Sequence, residues 1–268
     1  MADDGATYTH GHHESVLRSH TWRTAANSAA YLLPHLRPGA TLLDVGCGPG
    51  TITADLARLA APGAVLGIDP SAEIVAAAAR DHAPGAGNLS FAVGDVGRLD
   101  VDDGSFDVVH AHQVLQHLQD PVAALAEMRR VCADGGVVAA RDADYAAMTW
   151  FPDVPGLSAW QDLYHRLAVA NGGEPDAGRR LLAWANAAGF SEVTASASVW
   201  CFSTAEERAW WGGLWADRVQ HSSLHDQALE RGMATEAELG ELAEAWRGWA
   251  AEPDGWFAVV HGEVLCRR

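Results

Sequence analysis

The sequence of 268 residues contains no lysine, so arginine supplies every basic side chain other than histidine. Its 18 basic residues are outnumbered by 35 acidic ones, which gives a formal net charge of −17. Such a charge opposes binding to phosphate backbones and anionic lipid, and no local basic cluster offsets it. We therefore expect a small molecule as the partner, and neither nucleic acid nor membrane.

Cysteine is scarce as well, and long apolar runs are absent. The four cysteines are far apart and form no CxxC motif; they are Cys47, Cys132, Cys201 and Cys266. This spacing argues against a disulfide framework and against a structural zinc site. No apolar run could cross a bilayer, and the first twenty residues lack the apolar segment of a secretory signal. We therefore predict a cytoplasmic protein with reduced thiols.

Short apolar strands alternate with helical segments through the first half of the chain. Apolar spacing predicts a helix over 22–36, which ends where Pro38 and Gly39 follow. Strands are predicted at the start of 41–50 and at 64–69, 89–95, 106–112 and 135–142, and helices at 51–60, 71–83 and 121–132. Such alternation predicts an α/β fold with a parallel sheet that carries helices on both faces.

The rhythm changes after Asp142. A helix at 177–190 and a strand at 192–202 precede two segments that begin with capping boxes, TAEE (204–207) and TEAE (235–238), and a final strand at 256–266. Ten of the eleven tryptophans lie at or beyond residue 150. Aromatic side chains line ligand pockets as well as cores, so we predict a lid in this half, with ordinary core packing as the alternative.

These patterns predict a division of the chain into six parts. They are an N-terminal helical cap (1–40), a ligand-binding core (41–144), a lid insertion (145–178), a core helix and strand (179–203), a mainly helical lid insertion (204–254) and a final core strand (255–268).

The segment DVGCGPG (44–50) is a glycine-rich turn between a predicted strand and a predicted helix. Gly46 and Gly48 allow a tight turn and a close approach of the backbone to a ligand, and the helix offers its N-terminal amides. The dinucleotide fingerprint GxGxxG fits imperfectly, because the third glycine comes one position early, at Gly50. A P-loop is excluded, since no Gly-Lys-Ser/Thr sequence follows.

Three carboxylates accompany this turn at predicted strand ends. Asp44 lies beside the turn, where it could meet a cationic group or organise water. Asp69 ends the second strand, where a carboxylate can accept hydrogen bonds from a ribose, and Asp95 ends the third. Ligands of open α/β sheets bind beyond the carboxyl ends of the strands, so these side chains should converge on one crevice.

As a set, the motifs LLDVGCGPG, GIDPS, VGDV, FDVVHAHQVLQHLQDP, EMRRVCADGGVV and NAAGF follow in order across 41–190. The chain thereby resembles the class I S-adenosylmethionine-dependent methyltransferases, in particular the small-molecule branch related to the ubiquinone and menaquinone biosynthesis methyltransferases. The resemblance implies a Rossmann-like, doubly wound sheet of seven strands with an antiparallel hairpin at its end. It also implies that S-adenosylmethionine is the cofactor and that the core at 41–144 binds it.

The resemblance also implies roles for individual residues. Gly46, Gly48 and Gly50 would hold the methionine part of the cofactor. Asp69 would bind the ribose, and Asp95 with Val96 would hold the adenine. The other positions predicted to contact the cofactor are Asp44, Cys47, Pro70, Gly94, His112 and Gln113. In the segment before the sheet an aromatic ring could approach the sulfonium and an arginine the methionine carboxylate; the candidates are Tyr8, His12, His13, Arg18 and Arg23.

Three histidines occur in VVHAHQVLQHL (108–118). We expect His110 on a buried strand, His112 at its cofactor-facing end and His117 on the acceptor side. His117 is the predicted general base, with Asp142 as its orienting carboxylate and Tyr145 beside them; a structural role near a helix start is the alternative. No metal is predicted, since zinc draws three or four ligands with supporting partners.

The predicted function is methyl transfer from S-adenosylmethionine to an oxygen, nitrogen or carbon nucleophile of a small, partly apolar or aromatic acceptor. It depends on alignment of the reacting atoms and, for some acceptors, on a base. Two alternatives stay open: a nicotinamide-dependent oxidoreductase, and a non-methylating cyclase or binding protein on the same scaffold. The sequence also leaves the acceptor and the oligomeric state open, with a homodimer as one option.

Overall fold

The computed structural model describes residues 19–268 and shows an eight-stranded sheet. Its strands are β1 (Leu42–Val45), β2 (Val65–Asp69), β3 (Leu89–Val93), β4 (Phe106–His112), β5 (Cys132–Ala143), β6 (Thr149–Phe151), β7 (Glu192–Phe202) and β8 (Trp256–Arg267). The first five run parallel in the order β3-β2-β1-β4-β5. Their carboxyl ends therefore meet at one edge of the sheet, where ligands of such folds bind.

An antiparallel arrangement completes the sheet. β8 pairs with β5 along 261–267 and with β7 along 257–267, so these two strands lie on opposite edges of β8. β6 pairs with 256–258 and therefore lies on the β5 edge. The predicted α/β fold with a methyltransferase-type sheet is confirmed, and β6 is a three-residue addition to the seven strands that were predicted.

Nine α-helices are present within residues 19–268 besides the helical end at 19–21: α1 (Ala25–Ser28), α2 (Thr51–Ala60), α3 (Ala72–His82), α4 (Pro121–Val131), α5 (Pro155–Ala170), α6 (Leu181–Ala187), α7 (Ala205–His221), α8 (Ser223–Glu230) and α9 (Glu236–Ala251). Local sequence explains several starts. Ser71 and Asp120 cap α3 and α4 with their side-chain oxygens, and the capping boxes at Thr204 and Thr235 both form.

The continuous helix predicted over 22–36 is wrong. α1 is only four residues long, and a single 3₁₀ turn follows at Leu33–His35. Pro34 lies in that turn and lacks the backbone N–H that a continuous helix would use. The apolar residues of the segment still face the sheet, because Ala29 and Leu32 are buried in one cluster with Leu42 of β1.

Six tryptophans of the C-terminal half form two groups that share one member. Trp160 of α5 packs edge-on against Trp215 of α7 and Trp246 of α9, with ring centroids 4.4 Å and 4.8 Å apart, and all three are buried. They hold these helices together as an ordinary core. A second group, described below, lines a cavity and shares Trp215 with the first. Among residues 19–268, no helix is long and apolar enough to cross a membrane.

Candidate active site

A cavity of about 290 Å³ opens at the carboxyl ends of β1, β2 and β4. One wall is formed by the glycine-rich turn after β1 and by the ends of β2, β3 and β4. The other wall comes from the N-terminal segment, β7 and α7. The first is the crevice that the strand-end carboxylates predicted; the second was not assigned from the sequence beyond a general expectation of an aromatic lid.

The glycine-rich turn has the left-handed backbone that its glycines permit. Gly46 has φ +64°, and a Cβ there would overlap with the side chain of Val114. Gly48 has φ +52° and lines the cavity, and a Cβ there would meet no heavy atom within 4 Å. The backbone is thus exposed to a ligand at Gly48. Gly50 caps α2 and does not line the cavity. Cys47 lines it with a buried thiol, whose pKa burial raises.

Asp69 joins the turn to the next helix. Its Oδ2 accepts a hydrogen bond from the Gly48 amide at 3.2 Å, and its Oδ1 accepts one from the Ser71 amide at 3.0 Å. The half-buried carboxylate, like the exposed Pro70 beside it, lines the cavity. A carboxylate oxygen can accept more than one hydrogen bond, so these contacts leave capacity for ligand hydroxyls.

Gly94, Asp95 and Val96 follow β3 and form the far end of the same wall. Asp95 is exposed, and its Oδ1 accepts a hydrogen bond from the Gly97 amide at 2.8 Å. Val96 is buried. An exposed carboxylate beside a buried aliphatic side chain suits a flat ring with a polar amino group, which is the chemistry of adenine.

Asp44 is part of a buried pair that the sequence did not reveal. Its Oδ1 lies 2.7 Å from Nδ1 of His110, and its Oδ2 accepts a hydrogen bond from the Thr53 hydroxyl at 2.5 Å. His110 is fully buried, as expected. The carboxylate lines the cavity, but its contacts tie β1 to β4 and α2 together. The pairing could have been anticipated only from the register that places Asp44 opposite His110.

Arg23 and Gln113 connect the N-terminal segment to the sheet. Nη2 of Arg23 donates to Oε1 of Gln113 at 2.7 Å, and Nε2 of Gln113 lies 2.8 Å from Nε2 of His261 on β8. Gln113 has φ +54°, an uncommon backbone for a side chain of this kind. Local strain is therefore tolerated at the point where β4 ends beside the cavity.

His112, the last residue of β4, lines the cavity and is 6% exposed. Its ring packs against Trp200 of β7 and His261 of β8, with centroids 5.7 Å and 6.2 Å away. Neither of its nitrogens has a hydrogen-bond partner within residues 19–268. Burial holds the pKa of His112 well below its usual value, and the nearby charges of Arg141 and Arg23 lower it further.

His117 and Asp142 lie near each other in the chain's fold but have different partners. Nε2 of His117 lies 3.0 Å from Nε2 of Gln116, and the ring lines the cavity. Burial, with a smaller contribution from Arg23, lowers the pKa of His117 to about 3. Asp142 is fully buried behind the cavity, and its Oδ1 accepts a hydrogen bond from the Gln116 amide at 3.1 Å. The carboxylate therefore holds the backbone that carries His117.

Burial raises the pKa of Asp142 to about 7, although hydrogen bonds from backbone amides oppose the shift. A raised carboxyl pKa means that the folded protein loses stability as the pH rises from about 4 to about 7, and that the loss is complete above this range. We expect Asp142→Asn to be more stable than the wild type by roughly 4 °C at pH 8 and by much less at pH 4. Thermal unfolding at both pH values measures this, and a constant difference would contradict it.

The second wall of the cavity is aromatic, and we call it the tryptophan wall. Its rings are Trp22, Trp200, Trp210, Trp211, Trp215 and Tyr145. Trp22 meets Trp200 edge-on at 5.2 Å and Trp210 at 5.4 Å, and Tyr145 stacks on Tyr164 at 3.9 Å. Sequence reasoning selected Tyr145 but none of these tryptophans individually. The available signal was the excess of tryptophan after residue 150, which does not separate core from cavity.

Tyr8, His12, His13 and Arg18 lie outside the described residues. Within residues 19–268, no group of three or more His, Cys, Asp or Glu side chains is arranged to hold a metal ion. The residues of the first wall fit S-adenosylmethionine, because an open glycine backbone, a strand-end carboxylate at Asp69 and an adenine-sized edge at Asp95 and Val96 line one cavity.

The fold and this site together define a class I S-adenosylmethionine-dependent methyltransferase. The chain belongs to the family described as "Methyltransferase domain", whose model matches residues 36–210. It is an enzyme, and S-adenosylmethionine is its cofactor. The family prediction is confirmed, and the comparisons support methyl transfer over the nicotinamide-dependent alternative.

Two relatives match over almost their whole length. An uncharacterised methyltransferase of Schizosaccharomyces pombe is 34% identical over 280 residues, which cover 99% of this chain and 98% of the relative. The probable methyltransferase ltbC of Aspergillus luteorubrus is 33% identical over 286 residues, with 99% of each chain covered. A crystal structure from Bacillus halodurans, described as a methyltransferase, shares the fold with a TM-score of 0.57 at 16% identity, covering 89% of this chain and 97% of that one.

Proposed function

We propose that this enzyme transfers the methyl group of S-adenosylmethionine to a small, largely aromatic acceptor bound against the tryptophan wall. The observation that carries the proposal is the continuity of one cavity, which runs from the glycine-rich turn at Gly46–Gly48 to Trp22, Trp200 and Trp210. Aromatic walls hold planar organic ligands by apolar contact and offset stacking.

The cofactor supplies an electrophilic methyl group on a positively charged sulfur. The backbone at Gly46 and Gly48 would hold its methionine part, Asp69 its ribose, and Asp95 with Val96 its adenine, whereas Gly50 lies outside the cavity. The remaining predicted contacts support this arrangement from the same wall: Asp44 and Gln113 brace the turn and the end of β4, and Cys47, Pro70, Gly94 and His112 line the cavity. Arg23, which also lines it, is the described candidate for the methionine carboxylate.

The acceptor side lies where the chain leaves β4 and β5. His117 and Tyr145 line the cavity, and Asp142 orients the backbone at Gln116. With a pKa of about 3, His117 is neutral at neutral pH, so it would hydrogen-bond the acceptor more readily than hold its proton. We propose that 145–178 and 204–254, which contribute Tyr145 and the α7 tryptophans, act as lids over this side.

A binding and transfer experiment tests the proposal. Isothermal titration should show binding of S-adenosylmethionine and S-adenosylhomocysteine but not of a nicotinamide dinucleotide. Incubation with methyl-labelled cofactor and a panel of aromatic hydroxyl, amine and acid compounds, together with native extract, should then transfer label. Tight cofactor binding with no transfer to any acceptor would favour the non-methylating alternative, and binding of the nicotinamide alone would overturn the proposal.

Removal of one indole from the tryptophan wall should lower the catalytic efficiency toward the acceptor. Trp210 is half-buried and lines the cavity, so Trp210→Ala should lower kcat/KM for a transferred acceptor by about tenfold through lost apolar contact. Affinity for S-adenosylhomocysteine should change little. Trp256→Ala is the matched control, because this indole is 39% exposed and lies outside the cavity. Equal losses in both variants would count against an acceptor site at the tryptophan wall.

A further inference from the structure

His112 has buried nitrogens without protein partners at the junction of the two walls. The side chain is 94% shielded from solvent, being 6% exposed, and it lines the cavity. Both Nδ1 and Nε2 lack a hydrogen-bond partner among residues 19–268. Buried polar groups in folded proteins are nearly always hydrogen-bonded, so two unpartnered nitrogens on a side chain that lines a cavity indicate a ligand there.

The position of the ring indicates which part of a ligand it meets. β4, which ends at His112, pairs with β1, which runs into the Gly46 turn. On the other side the His112 ring lies 5.7 Å from Trp200, a member of the tryptophan wall. His112 therefore lies between the first wall, which is proposed to hold the cofactor, and the tryptophan wall, which is proposed to hold the acceptor. The reacting atoms must meet there.

Burial lowers the pKa of this imidazole, and the surrounding positive charges lower it further. Arg141 lies directly opposite His112 in the β4–β5 register, and Arg23 hydrogen-bonds the next residue, Gln113. The carboxylates on this face have other partners: Glu263 contacts Arg141, Ser196 and Ser198, and Asp44 contacts His110 and Thr53. A neutral imidazole does not repel a sulfonium, and one of its nitrogens can accept a hydrogen bond.

We propose that His112 accepts the hydrogen bond of an aromatic hydroxyl, which is the nucleophile of the methyl transfer; this rests on the function proposed above. The hydroxyl oxygen bonds to the methyl carbon while the carbon–sulfur bond breaks and leaves its electron pair on sulfur. The hydroxyl proton leaves by way of the accepting nitrogen of His112, which passes it to solvent and does not hold it, because burial and the nearby arginines lower the pKa of this imidazole. The positive charge of the sulfonium thus leaves the site as the released proton.

The two arginines also favour oxygen over nitrogen as the nucleophile. A hydroxyl that gives up its proton develops negative charge in the transition state, whereas an attacking aromatic amine develops positive charge. Arg23 and Arg141 stabilise the first and disfavour the second, because charge that develops in a buried site interacts strongly with fixed charges. The proposal therefore names both the contact residue and the class of acceptor.

The test uses 2-naphthol and naphthalene as probes of the full-length protein saturated with S-adenosylhomocysteine. Equilibrium dialysis gives the ratio of the two affinities, which isolates the contribution of the hydroxyl. We expect this ratio to fall about fivefold in His112→Phe, which keeps the ring and removes both nitrogens. His112→Asn, which keeps an acceptor, should retain most of the ratio. His165→Phe is the control, since His165 lies outside the cavity and contacts Gln161 and Asp176.

A second measurement follows His112 itself in the wild-type protein. In protein with isotope-labelled histidine, the His112 nitrogen resonances, identified by their loss in His112→Asn, should move with 2-naphthol and not with naphthalene.

Other results of these experiments would contradict either the role of His112 or the proposed function on which that role rests. An unchanged ratio in His112→Phe, or a ratio that falls in His117→Phe instead, would remove His112 from this role while the proposed function stands. Failure of both probes to bind would contradict both the role of His112 and the aromatic acceptor of the proposed function. If the wild type does not bind S-adenosylhomocysteine, the proposed function itself fails.

Discussion

Replacing Asp69 by alanine is expected to weaken binding of S-adenosylmethionine and S-adenosylhomocysteine by about 10- to 100-fold. Hydrogen bonds to a charged group contribute roughly 1.5–3 kcal/mol, and 1.4 kcal/mol corresponds to a factor of ten. The carboxylate also holds the amides of Gly48 and Ser71, so its loss loosens the turn as well as removing the ribose contact. Isothermal titration with S-adenosylhomocysteine measures the effect without any need for an acceptor.

Two further variants separate the contributions at Asp69. Asp69→Asn keeps an oxygen for one backbone amide but removes the charge, and it should fall between the wild type and the alanine variant. Asp81→Ala on α3 is the surface control, since that carboxylate is 55% exposed and contacts Arg80. A folded Asp69→Ala protein that binds S-adenosylhomocysteine within about twofold of the wild type would rule out the ribose role.

Gly46→Ala is expected to destabilise the protein by about 3 kcal/mol, or roughly 10 °C in Tm, and to abolish measurable cofactor binding. Two causes add together. The backbone has φ +64°, which disfavours any residue with a Cβ, and the added methyl would overlap with Val114. Thermal unfolding monitored by circular dichroism gives the stability, and titration with S-adenosylhomocysteine gives the affinity.

Two further variants separate the overlap with Val114 from the backbone strain at the turn. Combining Gly46→Ala with Val114→Ala removes the overlap but keeps the backbone strain, so part of the stability should return. Gly48→Ala also introduces backbone strain without an overlap, because φ is +52° there and no heavy atom lies within 4 Å of the added Cβ. It should cost affinity more than stability. If the double variant is no more stable than Gly46→Ala alone, the overlap with Val114 is not the cause.

Much of the fold followed from local sequence. The alternation of apolar strands with helices and the capping boxes at Thr204 and Thr235 depend on neighbours a few residues away, and the structure has them where they were predicted. The helix predicted over 22–36 was wrong for a related reason: apolar spacing was weighed more heavily than Pro34, although the proline acts locally too.

The first wall of the cavity, which is proposed to hold the cofactor, could also be predicted from the sequence. Gly46 and Gly48 lie on one turn, and Asp69 and Asp95 end parallel strands, so the rule that such ends meet at one edge was enough to bring them together. The hydrogen-bond partners of the predicted acid and base groups could not be inferred from the common direction of the strands. His117 and Asp142 were expected as a pair, and the structure shows instead that Asp142 holds the Gln116 amide.

The sequence by itself determined the class of fold, the cofactor and the wall that is proposed to bind it, because each depends on a short motif or on the common direction of parallel strands. Only the tertiary structure decided which side chains share the buried face. Asp44 meets His110 across 66 positions, and Gln113 meets His261 across 148. Trp200 reaches the cavity because β7 pairs with β8 along its whole length. Such contacts are fixed by strand register and by packing between distant segments, which local spacing does not encode.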